Sequence, residues 1–375
     1  MNEQLIVKNF GPIKDATVDF KRVTVFIGPT GGGKSTLAKL AAMFHSFHLI
    51  GNKESGTNLL KFYNLQKFHL PQSDLQWTGP AYSLKMKDGV PLPDEKLMLK
   101  ISSLVKEKYA QLAHETAISP LKELEVFQAS IKALMPGALA RYIASERAFV
   151  SAIEYSWAGL IRDDIGLSKY VVNFANDFSL SRKSIIELDI PFLNAKYLHQ
   201  NGQDFIKIPN VDTLFRLYET ASGIQSVTPL LVLLEHLSRN TEQAQSFIIE
   251  EPELNLYPTA QQGLLNWLVE KCTKGENDLT ITTHSPYILS SCNLLLEAYK
   301  VAQLRPDLEE EIAAIVPKAC WLNPDEFAAY YVAGGTVKPI TDDRTHLIGG
   351  NELDAVSGDI SDSFRKLLRL KKQAA

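Results

Sequence analysis

The sequence predicts an α/β fold: a mixed core sheet with parallel strands, an antiparallel sheet leading into it from the N-terminus, and a helical insert. Three observations predict it. Gly28-Pro29-Thr30-Gly31-Gly32-Gly33-Lys34-Ser35-Thr36 matches the phosphate-loop pattern G-x-x-x-x-G-K-[ST] in full. Phe247-Ile248-Ile249-Glu250-Glu251 is an apolar strand that ends in two carboxylates, as a phosphate loop demands of a companion strand. Leu279-Thr280-Ile281-Thr282-Thr283 is a β-branched strand that ends on His284.

The loop has the context its chemistry needs. Val23 to Ile27 reads as a buried strand before it, and Ser35 to Ala42 reads as a helix after it. Gly28, Gly31 and Gly33 let the backbone turn its N–H groups inward, toward a helix N-terminus whose partial positive charge favours a polyphosphate. Lys34 is placed to reach the β- and γ-phosphates, Ser35 to ligate magnesium, and Thr36 stands beside it in the first helical turn. The expected ligands are therefore ATP and Mg2+.

Composition bounds the rest. A chain of 375 residues with 45% hydrophobic content can bury a large core, as about two domains or one with a large insertion. No run of eighteen apolar residues occurs, and Met1-Asn2-Glu3-Gln4 lacks the pattern of a signal peptide, so a cytoplasmic protein with no membrane partner is expected. Cys272, Cys292 and Cys320 are widely spaced, which indicates neither a disulfide framework nor a zinc site. A net charge of −4 argues against a basic nucleic-acid surface spread over the whole molecule.

In chain order, Leu5 to Phe10 and Ala16 to Phe20 alternate about Gly11-Pro12 and read as two strands joined by a turn. Phe44 to Pro93 reads mostly as strands and loops, with turns at Gly51-Asn52, Gly79-Pro80 and Asp88-Gly89. From Asp94 to Met135, Leu97, Ile101, Leu104, Val105 and Leu112, then Leu121, Leu124, Phe127 and Ile131, recur at helical spacing on either side of Pro120. That predicts a helical hairpin over 94–140. Arg141 to Arg147 reads as a strand closing on the pair Glu146-Arg147, either a structural ion pair or a sensing element. Residues 149 to 175 read as helical, and Ile185 to Leu188 with Phe205 to Ile208 bracket Asn201-Gly202 as a hairpin. The domain reading is then 1–93 and 141–300 as two parts of one nucleotide-binding domain, with 301–375 as a C-terminal extension.

Ser222, Gly223 and Gln225 stand at the start of an apolar helix, where serine and glycine can cap and approach a phosphate. Since successive strand side chains point opposite ways, Glu250 can face magnesium while Glu251, at the strand lip, orients an attacking water. Neutral His284 can hydrogen-bond a γ-phosphate oxygen.

This order of motifs resembles the ATP-binding-cassette (ABC) ATPases, within them the soluble branch of RecF, SMC-like and overcoming-lysogenisation-defect (OLD) proteins. FIIEEPELNLYP looks like that branch's Walker B strand and following loop, and TTHSPYIL like its histidine switch. ASGIQS looks like its signature, usually Ser-Ser-Gly-Glu-Gln, with Ile224 where glutamate is common; Pro29-Thr30-Gly31-Gly32 stands where Pro-Asn-Gly-Ser is common. The likeness covers residues 1 to 42 and about 141 to 292, and the insert matches only in general character.

The resemblance implies an ABC-type P-loop ATPase that forms a homodimer or higher homo-oligomer, with Ser222 of one subunit closing on ATP held by Lys34 and Ser35 of the other. OLD nucleases add a Toprim domain; after Pro286 fewer than ninety residues remain, and Asp342-Asp343 lacks the required setting. The likeness is therefore to ATPase components of anti-phage systems such as Septu and PARIS, in which a separate nuclease or toxin is the effector. DNA is a further expected ligand if the chain is RecF-like, and an ATP-binding platform with little hydrolysis is the third reading. Asp359 to Leu370 reads as a short helix with a basic end at Arg365, Lys366, Arg369, Lys371 and Lys372.

Overall fold

The computed structural model describes residues 3–50, 54–80, 82–111, 139–153, 166–239 and 244–349, with isolated positions at 122, 125–127, 129–130 and 364. Alternation about Gly11-Pro12 gives the antiparallel pair β1 (Glu3–Phe10) and β2 (Ile13–Phe20), which buries Leu5, Val7, Phe10, Ile13, Ala16 and Val18. β3 (Val23–Ile27) is buried at every position, as expected of a strand covered on both faces. The glycine-rich loop then turns into α1 (Lys34–Phe44), whose Leu37, Leu40, Ala41 and Phe44 pack into the core.

The region expected to be mostly strands and loops contains a helix, α2 (Ser55–Phe62), before β4 (Asp74–Thr78), β5 (Ser83–Lys87) and β6 (Val90–Pro93). Its Gly56, Thr57 and Asn58 are weak helix formers, so local propensity hid it. Packing decides instead: a Cβ at Gly56 would collide with the Gly89 carbonyl. The expected Asp88-Gly89 turn is present, both residues at positive φ (50° and 75°) as a two-residue hairpin requires.

α3 (Glu95–Gln111) supplies the first helix of the insert; the second expected helix lies largely outside the described residues, as does Asp359 to Leu370. β7 (Leu139–Ile143) stops before Glu146-Arg147, which sit instead on a 3-10 segment, Ser145–Ile153. Of the helix expected over 149–175, residues 149–153 belong to that 3-10 segment and α4 (Lys169–Ser181) begins later; 154–165 lie outside the described residues.

A small antiparallel sheet follows in the order β11-β10-β9-β8, from β8 (Glu187–Ile190), β9 (Ala195–Gln200), β10 (Gln203–Lys207) and β11 (Leu214–Arg216). The Asn201-Gly202 hairpin is real, but β10 pairs with β9 across it rather than with 185–188. The sequence alternation in Ala195 to Gln200 is interrupted by Leu198 and His199, which masked the nearer partner.

Then come α5 (Ser222–Ser238), β12 (Gln245–Glu250), α6 (Pro258–Cys272), β13 (Asp278–Thr283), α7 (Pro286–Leu304) and α8 (Glu309–Ile315). The chain closes with β14 (Phe327–Ala333) and β15 (Thr336–Pro339). The large sheet runs β6-β5-β4-β1-β2-β15-β14-β3-β13-β12-β7 among the described residues. β7, β12, β13, β3 and β14 are mutually parallel; the β1, β2, β4, β5, β6 portion is antiparallel. The fold is thus a mixed α/β sheet of the predicted class. The segment read as an extension contributes β14, which lies directly beside β3. All three cysteines are buried, and no helix among the described residues is long and apolar enough to cross a membrane.

Candidate nucleotide site

Parallel pairing brings three polar strand ends to one edge. Thr283 of β13 stands opposite Ile27 of β3, and Glu250 of β12 opposite Thr282, so the phosphate loop, the carboxylate pair and His284 emerge side by side. This is the edge where α/β sheets bind ligands. The cleft there has a volume of about 500 Å³ and is walled by Gly31, Gly33, Lys34, Ser35, Thr36, Lys39, Glu251 and His284 on the polar side. Pro12, Leu65 and Phe68 form an apolar side.

The loop's glycines are required by contact as well as conformation. Gly33 has φ 109° and a Cβ there would strike Ile13; a Cβ at Gly28 or Gly32 would strike the Val332 carbonyl of β14. Lys34, 5% exposed, folds back to donate to the Gly28 carbonyl at 2.7 Å and the Pro29 carbonyl at 3.0 Å. Burial lowers its pKa, with the nearby Glu251, Glu250 and Glu253 opposing the shift.

Glu250 is buried beneath Ser35, and burial raises its pKa against the opposing influence of Tyr142, Lys39 and Ser35. Its Oε1 is buried without a hydrogen-bond partner. Tyr142 and Ser35 bear on this carboxylate, and an oxygen not taken up by a close hydrogen bond, beside the Ser35 hydroxyl, fits a cation. Among the described residues no group of three His, Cys, Asp or Glu side chains gathers as a metal site. Magnesium at a nucleotide does not ask for one: a carboxylate, the Ser35 hydroxyl, phosphate oxygens and waters are its usual shell.

Glu251 takes the other direction. Its backbone is left-handed, φ 42°, and its side chain enters the cleft with Oε1 3.4 Å from His284 Nε2. Burial lowers the pKa of His284, Lys34 adds to that, and Glu251 pulls it back. The imidazole is therefore neutral at pH 7. Glu253 is buried and accepts from Thr283 Oγ1 and from the His284 N–H at 3.2 Å, which ties the loop after β12 to the end of β13. Burial raises its pKa.

The structure therefore brings together Gly31, Gly33, Lys34, Ser35, Thr36, Glu251 and His284, with Gly28 and Glu250 immediately behind them. It does not bring Ser222, Gly223 and Gln225 to this cleft within one chain. Ser222 is exposed at the α5 N-terminus, while Gly223 is packed so closely on the loop after β12 that its Cβ would lie 2.7 Å from the Asn255 carbonyl. The Gln225 amide donates to the Tyr218 carbonyl at 2.9 Å and the Thr220 carbonyl at 2.6 Å, so it braces the turn before α5.

Sequence reasoning missed Lys39, Asn64, Phe68, Glu253 and Val332. Lys39 follows Ser35 by four residues on α1 and was open to the i, i+4 argument. Asn64, Phe68 and Val332 carry no motif. A separate cavity of about 300 Å³ lies between Ser145–Ile153 and α4, but its buried Asp204 is already engaged by Tyr197, His199 and Arg182.

Comparison with known proteins gives a family. A family described as AAA ATPase domain matches residues 94–289, more than half of the chain, a stretch that includes Ser222, Glu250, Glu251 and His284. Solved structures similar to this chain include an SMC head domain from Thermotoga maritima, 10% identical, with 91% of this chain and 98% of that one covered at a TM-score of 0.40. Another is an SMC head domain with an extended coiled coil bound to the C-terminal domain of ScpA, from Pyrococcus furiosus, 12% identical, with 96% and 98% covered at a TM-score of 0.40. No curated protein matches the chain.

Proposed function

This chain belongs to the AAA ATPase domain family, and we propose that it binds Mg-ATP in the cleft at the end of β3 and hydrolyses it to ADP and phosphate. The observation that carries the proposal is the shared edge: a full phosphate loop and a Glu251–His284 pair line one cleft, with the buried Glu250 carboxylate at the end of the adjacent strand. Backbone N–H groups of the loop and Lys34, which leaves its carbonyls when phosphate arrives, hold the β- and γ-phosphates. Ser35 and Glu250 hold magnesium, which when bound offsets phosphate charge. Glu251 is the general base for the attacking water, and neutral His284 turns its single N–H from the Glu251 carboxylate to the γ-phosphate when nucleotide is bound.

Exposed Ser222 at a helix N-terminus, outside its own cleft, supports a homodimer in which it serves the nucleotide of the other subunit. The strings FIIEEPELNLYP and TTHSPYIL support a place among OLD-like ATPases of bacterial anti-phage defence. On that reading the dimer is a sensor and scaffold whose ATP state controls a separate nuclease or toxin. Equilibrium binding of a fluorescent ATP analogue to wild type and Lys34→Ala tests the site: binding should be lost in the variant, and equal affinity in both would remove the cleft from consideration. Co-purification of a nuclease or toxin from the native host with wild type, in an ATP-dependent manner, tests the role. A partner-free protein whose ATP-bound form binds duplex DNA, with strong salt dependence, would contradict it.

A further inference from the structure

The 3-10 segment Ser145–Ile153 touches two parts of the machinery that are distant in sequence. At one end Arg147, 1% exposed, donates through Nη1 to the carbonyls of Ala144 at 3.0 Å and Glu250 at 2.5 Å, and through Nη2 to the carbonyl of Glu251 at 2.8 Å. At the other end the Ser151 hydroxyl donates to the Gln225 carbonyl at 2.7 Å, in the first turn of α5.

The fork has a geometric reason. In an extended strand successive carbonyls point to opposite sides, so one guanidinium cannot reach two in a row. Glu251 is left-handed, a conformation rare for a residue with a Cβ, and that turn brings its carbonyl round beside that of Glu250. The same turn aims the Glu251 side chain at His284. Guanidinium, planar and with donors in a fixed fork, suits two adjacent acceptors in a way that an ammonium cannot. The pair Glu146-Arg147 is accordingly not a mutual ion pair: Glu146 accepts from Tyr170 at 3.3 Å, and Arg147 faces the backbone of the carboxylate pair.

We propose that Arg147 is a positioning residue for hydrolysis: its fork holds Glu251 in the left-handed conformation that points the carboxylate into the cleft. Through Ser151 the same segment links that setting to the α5 N-terminus, where Ser222 stands. This inference rests on the hydrolytic reading above, with Glu251 as base.

The test is steady-state and single-turnover ATP hydrolysis by wild type, Arg147→Lys, Glu251→Gln and the double variant. A misplaced base lowers the chemical step and leaves nucleotide binding alone. Arg147→Lys should reduce kcat about 10- to 100-fold with KM within about twofold. On the Glu251→Gln background it should add less than about twofold, because the group it positions is already gone. Should Arg147→Lys not fold, Arg147→Gln keeps planar N–H donors without burying an ammonium, and the same pattern is expected of it. Wild-type turnover in either variant overturns the inference, and so does an equal loss on both backgrounds, which is what a merely structural arginine would give. Absence of turnover in wild type overturns the hydrolytic reading itself, and is distinguished because it precedes any substitution at Arg147.

Discussion

Gly32→Ala tests whether the C-terminal strand closes the phosphate loop. The motif leaves position 32 free and serine is common there in the ABC class, yet in this chain a Cβ would collide with the Val332 carbonyl of β14 and lie 3.0 Å from the Pro29 carbonyl. Both obstacles are backbone, so neither can swing aside. Gly32 is not at positive φ, so conformational strain plays no part and packing alone sets the cost. Overpacking of this kind costs about 1–3 kcal/mol. If the loop moves, ATP affinity falls by roughly 5- to 150-fold; if β14 moves, the same energy appears as lost stability. Gly31→Ala is the contrast, since its Cβ would meet open space and only its φ of 77° is at issue, at about 1–2 kcal/mol. The assay is equilibrium titration with a fluorescent ATP analogue together with the thermal midpoint. A Gly32→Ala protein with wild-type affinity and a wild-type midpoint would refute the argument.

Two further outcomes follow from buried acids. Asp278, hydrogen-bonded by Ser246, has its pKa pushed up by burial to about 7; burial pulls His45 down, but the Glu3 carboxylate at 3.1 Å and Asp278 together raise it. In both, the folded state holds its proton to higher pH: the Asp278 contribution is full below about pH 4 and declines by up to about 1.4 kcal/mol per pH unit as pH rises to 7, and the His45 contribution is full below about pH 6.5 and lost above it, so stability falls from pH 5 to 8. Asp278→Asn should flatten that slope in denaturant melts, and a wild type that gains stability from pH 5 to 8 would contradict it. Thr283→Val keeps the shape of the side chain but removes the hydroxyl donor to buried Glu253, at an expected cost of about 1–3 kcal/mol. Urea unfolding of that variant checks it, and an unchanged midpoint would mean that Glu253 does not depend on Thr283.

Much of the site was legible because its chemistry is written at strand ends. Val23 to Ile27, Phe247 to Glu250 and Leu279 to Thr283 are short β-branched runs followed by loop residues, and parallel pairing needs nothing more to set Lys34, Glu251 and His284 together. What was illegible depended on distant packing. Val332 lies three hundred residues from Gly32, and nothing local in Phe327 to Ala333 says that it pairs with β3. α2 was hidden by Gly56, Thr57 and Asn58, and its placement is decided by contact with the Gly89 turn. Arg147 was visible as a charge next to a strand, but a charge beside Glu146 suggests an ion pair; only the left-handed backbone at Glu251 reveals the acceptors it serves.

The proposed hydrolysis of ATP with Glu251 as base is open to direct measurement. ATP turnover and mass in solution, measured together for wild type and Glu251→Gln with and without Mg-ATP, test it most directly. Wild type should show magnesium-dependent turnover, and the variant a loss of about 10² to 10⁴ with ATP still bound and a dimer trapped by ATP. Wild type that binds ATP without turning it over, or a Glu251→Gln protein that turns over at the wild-type rate, would contradict it.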